Sequence, residues 1–159
     1  MEWSRRAYCL MLLVPLALGA CRDDTIGRRR LPGDVIVLAI KDQKLTTEVA
    51  FDDASRQAGL MHRDQLREDA GMLFIFPDPH PLGFWMKNTR IPLSIAFLDD
   101  KGKILQIEDM KPHDESRTRS VEKVRYALEV NQGWFGRHEI KVGDAFADFE
   151  ERTRGFRVR

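Results

Sequence analysis

The chain has 159 residues, 43% of them hydrophobic and 32% charged, with 26 basic against 25 acidic side chains. That length suits one domain with a modest core, and the composition is that of a soluble globular protein rather than a fibrous or disordered one. So even a balance leaves no electrostatic footprint for nucleic acid, and no nucleic-acid partner is expected.

At the N-terminus Arg5-Arg6 precedes an uncharged run, Ala7 to Ala20, broken only by Pro15. The run is well short of the roughly 20 residues that span a bilayer, so residues 1–20 read as a signal peptide. It ends in Leu18-Gly19-Ala20-Cys21, which resembles the lipobox of bacterial lipoproteins, where the signal is cut before the cysteine and the thiol takes a diacylglycerol. The resemblance implies a membrane partner through a lipid anchor at Cys21, and several acyl chains on one residue hold stably where one would not. Arg22, rather than an aspartate, follows the cysteine, which by resemblance to the enterobacterial sorting rule favours the outer membrane slightly over the inner. The expected location is the periplasmic side of a bacterial envelope. Ser4 to Leu10 also resembles a twin-arginine export signal, and both export routes stay open. With Cys9 in the leader and Cys21 lipidated, no thiol remains for a disulfide, a nucleophile or a cysteine metal site. Without Arg5, Arg6 and Glu2 of the leader, 24 basic and 24 acidic residues remain.

Residues 21–33 are polar with Gly and Pro and read as a lipidated tether, followed by a single β-rich domain over 34–150 and a basic C-terminal tail over 151–159. "DVIVLAI" is a β-branched strand. In "KLTTEVAF" Leu45, Thr47, Val49 and Phe51 alternate with polar neighbours, a half-buried strand joined to the first by a hairpin. Asp52 or Asp53 caps a short helix that Gly59 stops. Gly71 to Phe76 is a strand, Pro77 to Gly83 a proline-rich loop, and "FWMK" and "LSIAFLD" are further strands. Asp99 to Gly102 turns into the strand "KILQIEDM". A charged loop from Lys111 to about Lys123 precedes the strand "YALEV". "NQGWFGRHEI" offers a short helix, and "KVGD" turns into a final strand, "AFADFE". The expected fold is α+β and mainly antiparallel, a small curled sheet or open barrel with two short helices.

"GLMHRDQL", "GMLFIF", "FWMKNTRIPLSIAFLD", "GKI", "YALEVNQGW" and "IKVGDAF" follow one another as in the domain of unknown function family 192, which the chain resembles from Val35 to Phe149. The resemblance implies a fold and brings no established activity or catalytic residue. Ser94 stands where the family usually has an aspartate, and His62 where an aromatic is common, so the resemblance carries no chemical role of that aspartate onto this chain.

The stretch Phe84 to Thr89 carries a cation inside an apolar run. If extended, it places Phe84, Met86 and Asn88 on one face and Trp85, Lys87 and Thr89 on the other. The second face suits an anionic or glycan ligand, with a stacking surface, a point charge and a directional hydroxyl. His80 and the prolines before it could wall such a pocket. Alternatively Lys87 snorkels or pairs with Glu129 or Asp144, and Asn88-Thr89 ahead of Ile91-Pro92 makes a turn. Arg63, beyond the first helix, could hold a carboxylate or phosphate bidentately. Met61, Met72, Met86 and Met110 together with Trp85 and His62 could suggest a Cu(I) site, but each methionine sits in an apolar segment where it fills a core gap, so no metal and no cofactor is expected. His62, His80, His113 and His138 lack HxH or HExxH spacing, and Ser55, Ser94, Ser116 and Ser120 lack a nucleophile's context.

No catalytic residue is assigned. The leading expectation is a non-enzymatic module that binds a small anionic or glycan ligand, or a partner protein, through Trp85, Lys87, Asn88, Thr89 and Arg63, with Glu129 and Asp144 as supporting carboxylates. The contrasting expectation is an envelope hydrolase or transferase acting on cell-wall material. It needs at least two of Lys87, Arg63, Glu129 and Asp144 within about 3 Å of one reacting position. A purely structural domain would instead pair Lys87 and leave no pocket beside it.

Overall fold

The computed structural model describes residues 34–156; the leader, Cys21 and the tether as far as residue 33 lie outside the described residues. β1 (Val35–Ile40) and β2 (Gln43–Ala50) form the expected hairpin, Val35 opposite Glu48, with Lys41 in the left-handed region at its tip. α1 (Asp53–Ala58) starts from Asp52. Its carboxylate accepts the Ser55 N–H at 2.8 Å while Ser55 Oγ accepts the Asp52 N–H at 3.2 Å, a reciprocal capping box. α1 and the loop after it supply the crossover that a parallel pair of strands requires, and β3 (Ala70–Phe84) returns parallel to β2. β4 (Leu93–Leu98), β5 (Ile104–Met110) and β6 (Thr118–Asn131) complete one sheet of order β1-β2-β3-β6-β4-β5, antiparallel except at β2–β3. α2 (Trp134–Arg137) and α3 (Phe149–Thr153) follow. The fold is α+β and β-rich, with an unclosed sheet, as the sequence suggests.

Several segments differ from expectation: β6 begins at Thr118, inside the run expected to loop as far as Lys123, "FWMK" leaves the strand after Phe84, and two further differences shape the sheet. Gly71–Phe76 and the proline-rich run form one strand, because β6 tolerates the prolines at register shifts between Ile75 and His80 and between Pro81 and Gly83. "AFADFE" is not a strand. Ala145 bridges Lys103 beside β5 and Ala147 bridges Ala39 of β1, so three residues strap together the two edges of the sheet and neither pairing can lengthen. Phe146 turns inward between them, and α3 begins at once, making three short helices rather than two. Thr153 and Phe156 are also buried, which carries the packed structure past residue 150.

The sheet buries both faces. Leu38, Leu45, Leu73, Leu128, Trp134 and Phe149 fill one side, and Leu60, Phe74, Met86, Leu93, Ile95 and Phe97 the other. Two-sided burial explains why "GMLFIF" and "LSIAFL" are apolar throughout instead of alternating. On β6 the alternation places Leu128 and Val130 on the first side and Glu129 on the second. There Glu129 lies opposite Met72 of β3 and Ile95 of β4.

Candidate functional site

β3 ends at Phe84, and the segment after it is a turn rather than an extended strand. Asn88 has φ 56°, a region asparagine tolerates, and the Thr89 N–H reaches Met86 O at 3.0 Å. Flanking loops fix the turn from both sides: Met86 N–H donates to Asp114 O at 2.7 Å, His62 N–H to Asn88 O at 2.9 Å, and His113 N–H to Thr89 O at 3.1 Å. The two-faced arrangement expected of Phe84 to Thr89 therefore does not form.

The turn still brings charge to Trp85. Lys87 Nζ lies 5.2 Å and Arg117 Cζ 5.1 Å from the indole centre, within cation–π range. Arg117 also donates to Gly83 O at 3.1 Å. Neither cation has a carboxylate partner among the described residues. Lys87 is thus held by an aromatic ring, and not by Glu129 or Asp144. Lys87→Met should accordingly change the free energy of urea unfolding by less than about 1 kcal/mol, the scale of an exposed cation–π contact. A loss of several kcal/mol would restore a structural ion pair.

Beside Trp85 opens a cleft of about 260 Å³ between α1, the loop after it, β3 and the 85–90 turn. Phe74, Phe76 and Phe84 form its aromatic wall, the first and last 4.9 Å apart and edge to face. Leu60 and Met61 add apolar surface, and Arg56 and Asp53, paired at 2.6 Å, stand on α1. Thr89 and Glu129 supply the buried polar lining. Glu129 is only 4% exposed, and no hydrogen-bond or ionic partner for its carboxyl is present among the described residues. Burial without a compensating charge disfavours ionisation and pushes its pKa up to about 8. At neutral pH the cleft therefore contains a neutral carboxylic acid, both a donor and an acceptor.

The other expected site residues lie elsewhere. Arg63 forks onto Glu48 of β2 at 2.6 and 2.8 Å, which holds the Glu48 carboxyl below its ordinary range. Asp144 pairs with Lys41 at 3.0 Å and accepts the Lys141 N–H, so it ties the strap to the β1–β2 turn. Ser94, in place of the family's aspartate, accepts the Gly133 N–H at 2.8 Å and donates to Asp109, an anchor for the start of α2. Of the groups named from sequence, the cleft gathers Trp85, Thr89 and Glu129, with Lys87 on the indole. Arg117 and the phenylalanine wall went unnamed. Arg117 sits in a loop of mixed charge where nothing local marks it, whereas the spacing of Phe74, Phe76 and Phe84 along one strand was a signal that could have been read.

Comparison with known proteins gives a family and a fold. The family DUF192, described as "Uncharacterized ACR", matches residues 36–147. The crystal structure of a proposed transcription regulator from Sinorhizobium meliloti 1021 is 40% identical with a TM-score of 0.66, over 69% of this chain and 89% of that one. A protein of unknown function from Novosphingobium aromaticivorans DSM 12444 is 29% identical with a TM-score of 0.66, over 70% and 84% of the respective chains. No curated protein matches.

Proposed function

Because the chain belongs to the DUF192 family, whose function is unknown, we propose its role from the site itself: a non-enzymatic module that binds a small acidic sugar-like ligand, held at the periplasmic side of the envelope by a lipid on Cys21. The observation that carries this reading is the pair of cations on Trp85, Lys87 and Arg117, standing without carboxylate partners among the described residues beside an aromatic cleft. An anionic substituent would meet both cations, while the ring it is attached to would lie against the phenylalanine wall. At about 260 Å³ the cleft is below the roughly 300–1,000 Å³ of sites for drug-sized molecules, so it suits a single ring. Catalysis by the four polar groups weighed from sequence has little geometric support. Arg63 and Asp144 are engaged with Glu48 and Lys41, away from the cleft, and Glu129 alone of the four lines it.

Titration with glucuronate, followed by indole fluorescence and by amide chemical shifts of the 85–90 turn, tests the reading. Saturable binding is expected, weakened about tenfold or more in Lys87→Ala/Arg117→Ala and at high salt, since desolvated charge contacts are worth at least 1–2 kcal/mol. A neutral sugar binding as well as glucuronate, or a double variant binding like wild type, would remove the role given to the cations. For the anchor, which rests on Leu18-Gly19-Ala20-Cys21, labelling with an alkynyl fatty acid should mark the wild type and not Cys21→Ser. Labelling of both would sink it.

A further inference from the structure

The acid lining the cleft has no part in the contacts between ligand charge and the Trp85 cations, yet it is buried on an apolar face of the sheet. An apolar residue at position 129 would continue the face that Ala127, Met72, Ile95 and Phe97 already make. A carboxyl there, buried and without a protein partner among the described residues, leaves hydrogen-bonding capacity open to the cleft. Thr89 lines the same cleft. It is 4% exposed, and its hydroxyl donates to Lys87 O at a long 3.3 Å, which leaves its lone pairs free to accept. Apolar Leu60, Met61 and Phe74 complete the surroundings.

An acceptor oxygen, an N–H donor and a small apolar cap, adjoining one another, would satisfy this set. An acetamido group has all three. Building on the binding role above, we propose that the cleft recognises the N-acetyl group of an amino sugar, with the Glu129 carboxyl donating to the amide oxygen, Thr89 accepting from the amide N–H, and the methyl lying against Leu60, Met61 and Phe74. Glu129 is then a specificity-determining residue, since a sugar bearing a plain hydroxyl leaves the buried set incompletely paired.

The donor role requires the protonated acid, and the surroundings favour it. The charged groups lining the cleft are Asp53 and Arg56 of α1, already paired with each other. β3 and β4 present Met72, Phe74 and Ile95, and the turn presents Trp85 and Thr89, with Lys87 drawn onto the indole. Among the described residues no cation is placed to hold Glu129 ionised, consistent with its raised pKa.

Two neutral probes, N-acetylglucosamine and glucose, separate this from the charge contacts, with binding followed by amide chemical shifts in the wild-type protein, Glu129→Gln and Glu129→Leu. Near pH 6 the wild type should prefer N-acetylglucosamine by about tenfold or more, and the preference should vanish near pH 9.5 as the acid ionises. Glu129→Gln keeps an N–H donor without a titratable proton and should keep the preference at both values. Glu129→Leu keeps the apolar packing and should lose it at both. Equal affinities near pH 6, or a preference that survives in Glu129→Leu, overturns the proposal. Glucuronate binding without any acetamido preference overturns this inference alone, whereas a protein that binds none of the three sugars overturns the binding reading as well.

Discussion

Glu129→Gln is expected to change how stability depends on pH more than any other single substitution in the cleft. Below its unfolded pKa of 4.5 the Glu129 carboxyl is protonated in both states and its folded environment costs nothing in ionisation. As the pH rises the unfolded chain releases the proton while the folded chain keeps it until about 8. The folded state therefore binds more protons, and stability falls with rising pH across this window and levels off above it. At 1.36 kcal/mol per unit, the loss reaches about 3 kcal/mol by pH 7. Glutamine has no proton to release. Urea unfolding of both proteins should show the wild type falling relative to the variant by about 2.5 kcal/mol from pH 5 to 7 and by about 4 kcal/mol from pH 5 to 9. Glu48, Asp114 and Asp144, whose pKa values are lowered and whose contributions run the opposite way, are present in both proteins and cancel. A difference that stays constant from pH 5 to 9 would mean the carboxyl ionises freely in the fold, and the donor role assigned to it would go too.

Trp134→Ala should cost about 3–5 kcal/mol, the range for emptying a large aromatic site, against a total stability of about 5–15 kcal/mol for a single domain. Trp134 is 2% exposed and packs against Phe135 at 5.4 Å and His138 at 4.9 Å between ring centres. α2 has four residues, too few to hold a helix by its own hydrogen bonds, so its position rests on this packing and on the Gly133–Ser94 contact. Chemical denaturation measures the loss. Trp134 belongs to the core on the side of the sheet away from Glu129, so folded Trp134→Ala should keep the wild-type ligand preference. A loss under about 1 kcal/mol would show that the cavity closes by collapse of α2.

These two residues also show how far the sequence could be read. The β1–β2 hairpin, the capped α1 and the antiparallel α+β class were legible because their signals are local: alternation from Leu45 to Phe51, a capping aspartate with Gly59 beyond, and turn residues at Asp99 to Gly102. The final segment was not. The run after the "KVGD" turn reads as a strand, but Ala145 and Ala147 bridge Lys103 and Ala39 on opposite edges of the sheet. The turn at Asn88-Thr89 was among the alternatives, and its hydrogen bonds to Met86 and His62 decide for it. Lys87 showed that a charge sat in an apolar run without showing what held it, because Arg117, its companion on the indole, arrives from a distant loop.

The sequence by itself determined the apolar strands, the helix cap, the turns and the family, since each depends on neighbours along the chain or on the order of short motifs. The tertiary structure alone decided which polar groups meet. It sent Arg63 to Glu48 and Asp144 to Lys41, and it left Glu129 beside a cleft without a partner among the described residues. The physical reason lies in β6. Alternation fixes that Glu129 faces away from Leu128 and Val130, but when both faces of a sheet are buried, only the packing of β3, β4 and the 85–90 turn determines whether that second face offers a charge, a hydrogen bond or neither.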